Sequence, residues 1–169
     1  MFSFLRFKNQ SMQSELFYIR DLLDSDAKRL FEIYSNAEAM KYRENPPMKT
    51  LDDSYKMLEK AKEQKLNGYE FRFGIIEKSS ETLIGTIMYQ PIKNKAIIGY
   101  SIDEKFWNKG YASEVVKIIL NELKTKKFII IEAWVNKQNV ASSKVLEKNG
   151  FKHISQTLYP ENHFYQLIL

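Results

Sequence analysis

One run constrains this chain more than any other. Strand-like "KAIIGYSID" leads through "EKFWNKGYAS" into an apolar helix pattern, and "FIIIEAWVN", Phe128 to Asn136, follows. A helical crossover returns the chain to the end of the sheet where it began, so the two strands it joins lie parallel. The three strand-like runs around this unit obey the opposite rule. "YEFRFGIIEK", "TLIGTIMYQP" and "KAIIGYSID" are separated only by Ser79-Ser80-Glu81 and Lys93-Asn94. Such short connections make an antiparallel meander. The chain must therefore fold as an α/β domain with a mixed sheet, one parallel pair set among antiparallel ones.

The remaining segments extend this frame. "ELFYIRDL", Glu15 to Leu22, reads as a first strand, and "DLLDSDAKRLFEIYSNAEAM" as one helix with Asp24 or Ser25 as its N-cap. Pro46-Pro47 then interrupt the pattern before a second helix over about Leu51–Leu66, closed by Asn67-Gly68. The crossover helix runs from Gly110 or Tyr111 to about Lys124, with Val115, Val116, Ile119, Leu120 and Leu123 as its buried stripe. "FIIIEAWVN" is apolar almost throughout, as in a strand buried on both faces. A short helix over Asn139–Lys148 ends at Asn149-Gly150, and two strands joined across Pro160 complete the chain. With no linker or repeat, residues 1–169 read as one domain, residues 1–13 being a loose N-terminal extension.

Composition removes several kinds of chemistry. No cysteine is present and only two histidines, His153 and His163, which excludes thiolate nucleophiles and disfavours metal centres. No metal is expected. No apolar run approaches the ~18 residues of a membrane span, and the chain reads as cytoplasmic. The net charge of +5, with lysines at 93, 95, 124, 126 and 127, suits an anionic ligand or a solvated surface. It lacks the dense stripe of a nucleic-acid binder, so a nucleic-acid partner is not expected.

Gly110 stands where the strand–helix turn occurs. The first N–H groups of a helix lack internal partners and point outward, and a glycine lets an anion approach them. Lys109 would add charge and Ser113 a hydroxyl. A single glycine at such a corner is equally at home as a plain turn residue. Neither the P-loop nor the dinucleotide-fold glycine pattern is present, so a phosphate bound here would need another arrangement.

The C-terminal half offers one. "IGYSIDEKFWNKGYASEVVKIIL" followed by "NVASSKVLEKNGF" resembles the GNAT superfamily of acyl-CoA N-acyltransferases, in particular its ribosomal-protein N-terminal acetyltransferase branch. The resemblance is specific over about Ile98–Lys152. It implies a mostly antiparallel sheet of six to seven strands with about four helices and a splayed central strand pair. It implies acetyl-CoA as cosubstrate, its pyrophosphate held by the backbone of Asn108, Lys109, Gly110, Tyr111, Ala112 and Ser113. The pantetheine arm would pair with the backbone of Tyr100 and Ile102, and a backbone N–H of that strand would polarise the thioester carbonyl. Asn139 would contact the cofactor and Ser142 would lie near its sulfur. Two departures from the family pattern stand out. Asn108 replaces a frequent glycine, and Leu146 occupies the place of a frequent acidic tyrosine, which leaves Ser142 as the acid for the leaving thiolate.

Acetyl transfer to an amine also needs a base. The carboxylates near this strand pair are Glu132, ranked first because an apolar strand would not bury it idly, then Asp103 and Glu104. The acceptor expected is a small-molecule or peptide amine, and the protein a monomer or homodimer. The competing readings are an acyl-CoA sensor without turnover and a basic RNA or ribosome-interaction domain.

Overall fold

The computed structural model describes residues 12–156 and 158–169. Seven strands form one sheet in the order β1-β2-β3-β4-β5-β7-β6. They are β1 (Phe17–Asp21), β2 (Phe71–Glu77), β3 (Thr82–Ile92), β4 (Lys95–Ile102), β5 (Ile130–Asn136), β6 (Lys152–Ile154) and β7 (Asn162–Ile168). Every neighbouring pair is antiparallel except β4 and β5, as the crossover requires. Residues 1–11 of the expected loose extension lie outside the described residues. Met12 is not loose: it is buried, and its carbonyl accepts from the Ile19 N–H.

Helices cover the two faces in separate groups. On one face lie α1 (Ala27–Tyr34), α2 (Ala37–Met40) and α3 (Leu51–Leu66), where Leu30, Ile33, Tyr34 and Leu58 pack with Ile76 and Leu83. On the other lie α4 (Tyr111–Thr125) and α5 (Val140–Lys148), where Val115, Ile119, Leu123 and Leu146 pack with Ile75, Ile87, Ile98 and Ile131. The expected stripe of α4 is buried in full.

Three expectations need correction. The single helix after β1 is divided into a 3-10 turn, α1 and α2, because Asn36 caps a new start, its side chain accepting from the N–H groups of Glu38 and Ala39. Neither Asp24 nor Ser25 is the N-cap. Asp26 takes the Leu23 N–H and pairs with Arg20. β5 begins at Ile130 and is buried on one face only: Ile131, Ala133 and Val135 are covered by the α4–α5 layer, while Ile130, Glu132 and Trp134 are half-buried. On their side the α1–α3 layer reaches β3, and Trp134 is covered instead by Phe164 and Tyr159.

The feature that creates a site is the brevity of the β4–β5 pairing. Only Lys95, Ala96 and Ile97 pair with Ile130, Ile131 and Glu132. Beyond those rungs the strands part, although both continue, to Ile102 and Asn136. A wedge opens in the middle of the sheet.

Candidate active site

Strand geometry dictates what lines this wedge. Backbone N–H and C=O groups alternate in direction along a strand. The Asp103 N–H donates to the Ile84 carbonyl of β3 at 2.8 Å, so the groups of Ile102 and Tyr100 are turned the other way, toward β5. With β5 diverging, they lie along an open edge. Two of their carbonyls are held by side chains. Trp107 Nε1 donates to the Ile102 oxygen at 2.8 Å, and Arg43 donates to the Tyr100 oxygen at 2.6 Å. The N–H groups of Tyr100 and Ile102 remain directed into the wedge, a row that suits an extended amide-bearing ligand.

At the wide end of the wedge sits the glycine turn. Asn108 has φ 58° and Gly110 φ 85°, both left-handed. Asparagine tolerates that region better than most residues, which lets Asn108 stand where glycine is frequent. A Cβ built on Gly110 would meet nothing within 4 Å, so the position faces open space and its glycine answers to backbone angle, not crowding. Tyr111 is anchored away from that space, its ring against Phe17 and Phe106 and its hydroxyl on Glu77 at 3.0 Å. Only its backbone N–H belongs to the turn. Ser113 Oγ accepts from Asn149 Nδ2 at 3.1 Å, which ties the first turn of α4 to the end of α5 and leaves the Ser113 hydrogen to donate. A cleft of about 470 Å³ opens here, lined by Gly110, Ser113, Lys109, Lys117 and Lys148. Glu15 and Glu114 share its rim. Unpaired helix N–H groups, a left-handed glycine and three lysines around one cleft make an anion cradle.

On the α5 side of the wedge, Asn139 caps the helix by accepting from the Ser142 N–H at 3.1 Å, which leaves its side-chain NH₂ available. Ser142 Oγ lies 2.8 Å from the Tyr100 hydroxyl. Burial pushes the Tyr100 phenol up to about 12, and the Ser142 hydrogen bond and the Arg43 charge offset only part of that. The phenol therefore stays protonated. Leu146 is fully buried in the core and contributes no chemistry. The Tyr100–Ser142 contact is not foreseen in the sequence, where Tyr100 is expected to act only through its backbone; no local signal links residues 42 apart.

The carboxylates differ in how far they are committed. Asp103 is buried, with Oδ2 on Arg29 at 2.6 Å and Oδ1 on the Lys105 N–H at 3.1 Å. Oδ2 fastens the turn to α1, and Oδ1 caps the turn itself. Glu104 accepts from Asn36. Glu132 stands at the narrow end of the wedge, opposite Ile97 and on the face away from α4 and α5. Lys95 at 3.0 Å and Gln166 at 3.2 Å both reach its Oε1. Two of the lysines behind the positive net charge, Lys95 and Lys126, are in ion pairs. Among the described residues no group of three or more metal-ligating side chains occurs, and no helix is long and apolar enough to cross a membrane.

A sheet opened between one parallel pair, with an anion cradle at the head of the crossover helix, suits a ligand with an extended amide arm and an anionic head, as the resemblance to acyl-CoA N-acyltransferases implies. Comparison with known proteins narrows the class. The profile of the acetyltransferase (GNAT) domain matches residues 17–152, and the chain belongs to that family. The N-acetyltransferase YoaA of Bacillus subtilis is 31% identical over 147 residues, covering 83% of this chain and 82% of its own length. Among solved structures, RimL, a ribosomal L7/L12 alpha-N-protein acetyltransferase in complex with coenzyme A, superposes with a TM-score of 0.80 at 18% identity over 92% of this chain and 96% of its own. Spermidine N-acetyltransferase of Vibrio cholerae, with CoA and spermine, gives 0.76 at 18% identity over 90% and 95%. The protein is an acetyl-CoA-dependent N-acetyltransferase.

Proposed function

We propose that this enzyme transfers acetyl from acetyl-CoA directly to a primary amine, with both substrates bound together and entering the wedge from opposite faces. The observation that carries this reading is the division of the wedge. Its α4–α5 side holds the anion cradle, Asn139 and Ser142, whereas its α1 side holds Arg43 and the half-buried face of β5. The cradle formed by residues 108–113 takes the pyrophosphate. The Ile102 edge pairs with the pantetheine arm, and the Tyr100 N–H, the donor nearer the closed end, takes the thioester oxygen as it gains charge.

Each proton then has a place to go. The amine nitrogen bonds to the carbonyl carbon and the carbon–sulfur bond breaks. The protons shed by nitrogen pass through water to Glu132, whose Oε2 is turned to neither Lys95 nor Gln166. The sulfur gains its proton from Ser142, which recovers one through water from those the nitrogen released, while the other leaves through Glu132 to solvent. In this arrangement the protonated Tyr100 phenol takes the donor role toward Ser142 Oγ, which leaves the serine hydrogen directed at the sulfur. Tyr100 is thus a positioning residue, and Asp103 is reserved for structure. An acetyl-transfer screen against N-terminal peptides and small amines, read as thiol release, tests the proposal. Binding of CoA without transfer to any amine would return the chain to the sensor reading.

A further inference from the structure

Several cations and carboxylates around the acceptor side are paired with one another. Glu70 is held by Arg72 at 2.8 Å and by Gln90, Glu132 by Lys95, and Asp103 by Arg29. Lys41 pairs with Glu38. Arg43 has no carboxylate partner among the described residues. It is exposed, its guanidinium lies 5.7 Å from the centre of the Tyr34 ring, and its one hydrogen bond of note goes to a neutral carbonyl, that of Tyr100. Tyr34 is itself fixed by a 2.6 Å hydrogen bond to the buried Thr86. The guanidinium is therefore held in place by a ring and a carbonyl, with most of its five N–H donors unspent.

Its position gives this surplus charge a use. Tyr100 is the residue whose side chain meets Ser142 on one side of the wedge and whose carbonyl meets Arg43. Any amine that approaches the reacting centre from the α1 side passes beside this cation. A guanidinium repels an incoming polyamine, and it draws a carboxylate into a two-pronged contact. It also favours loss of the proton from a nearby ammonium, the form in which most amines arrive.

We infer that Arg43 selects acceptors carrying a carboxylate within a few bonds of the reacting amine, such as a free amino acid or a peptide beginning with an acidic residue. This inference rests on the acetyl-transfer reading above. The test uses matched acceptors with the full-length enzyme: an α-amino acid against its amide, a peptide starting with Asp against one starting with Asn, and spermidine. Wild type should favour the carboxylate member of at least one pair by about tenfold or more in kcat/KM. The two pairs distinguish the free amino acid from the peptide. Arg43→Ala should lose that preference mainly through the acceptor KM, with the KM for acetyl-CoA changed less than about twofold and the melting temperature unmoved. Arg43→Lys should keep part of it, and Arg43→Glu should shift activity toward spermidine. Equal rates for matched acceptors, or a preference that survives in Arg43→Ala, would overturn the inference and leave acetyl transfer standing. Transfer to no acceptor at all would overturn both.

Discussion

Gly110→Ala and Gly110→Asp impose the same backbone cost and differ in charge. At φ 85° any residue with a Cβ is strained by about 1–2 kcal/mol. Neither side chain meets protein atoms at Cβ, since nothing lies within 4 Å of that point. Both variants should therefore melt about 2–8 °C below wild type, and by the same amount. Cofactor binding should separate them. An aspartate carboxylate here would share the cleft with a bound pyrophosphate, at a separation taken as on the order of 5 Å. With an effective dielectric between roughly 40 and 80, two phosphate charges at that distance cost about 1.5–3 kcal/mol. That is a further loss in CoA affinity of roughly 10- to 150-fold relative to Gly110→Ala. Calorimetric titration of CoA into both variants, beside their melting curves, gives the two numbers. Equal CoA affinities for the Ala and Asp variants would refute the cradle and leave Gly110 a turn residue.

Other outcomes follow from the wedge. Ser142→Ala should lower kcat by about 10²-fold with CoA affinity nearly unchanged, whereas equal loss of both in rate assays and titration would make Ser142 only a part of the helix start. Tyr100→Phe should lower kcat less, by about tenfold, because Ser142 keeps its hydrogen but loses its orientation; an unchanged kcat removes Tyr100 from the mechanism. Raised to about 12 in the folded protein against about 10 when unfolded, Tyr100 contributes stability that is complete below pH 10 and lost between pH 10 and 12. Chemical denaturation across that range should show a fall that is about 2–3 kcal/mol smaller in Tyr100→Phe than in wild type, the share left in the variant coming from Tyr89, Tyr111 and Tyr165, whose phenols burial also pushes up. Asp103→Asn should destabilise the fold by about 2–3 kcal/mol through loss of the Arg29 pair while sparing kcat. Glu132→Gln should do the reverse, depressing the rate at neutral pH with less effect on melting.

The frame of this molecule is legible because its signals are local. The stripe Val115, Val116, Ile119, Leu120 and Leu123 and the glycine turn before it specify the crossover helix, and the crossover specifies the parallel pair. Asn36 was equally local, an asparagine cap with Glu38 in the turn it begins, but the apolar spacing through Ala27, Leu30, Phe31 and Tyr34 hid it within one longer helix. One-sided burial of β5 was not legible, because an apolar side chain reads the same whether a helix or two aromatic rings cover it. The functional contacts are farthest from view. Tyr100 meets Ser142, and Arg43 meets the Tyr100 carbonyl 57 residues on, only because the strands part. What ends the pairing after Ile97 and Glu132 is written in no short segment.

Three rungs between β4 and β5 also have a mechanical meaning. The sheet is in effect two leaves, β1–β4 and β5–β7, joined like scissors near Lys95–Ile97. Opening the leaves strains few backbone hydrogen bonds, so the pivot is a soft point in a stiff sheet. An extended ligand lying along the β4 edge would act as an eighth strand and pin the blades together. Amide hydrogen exchange at Tyr100 and Ile102 should then be fast in the free enzyme and slow sharply when CoA binds, far more than at Ile75 or Ile87 in the β2–β3 leaf.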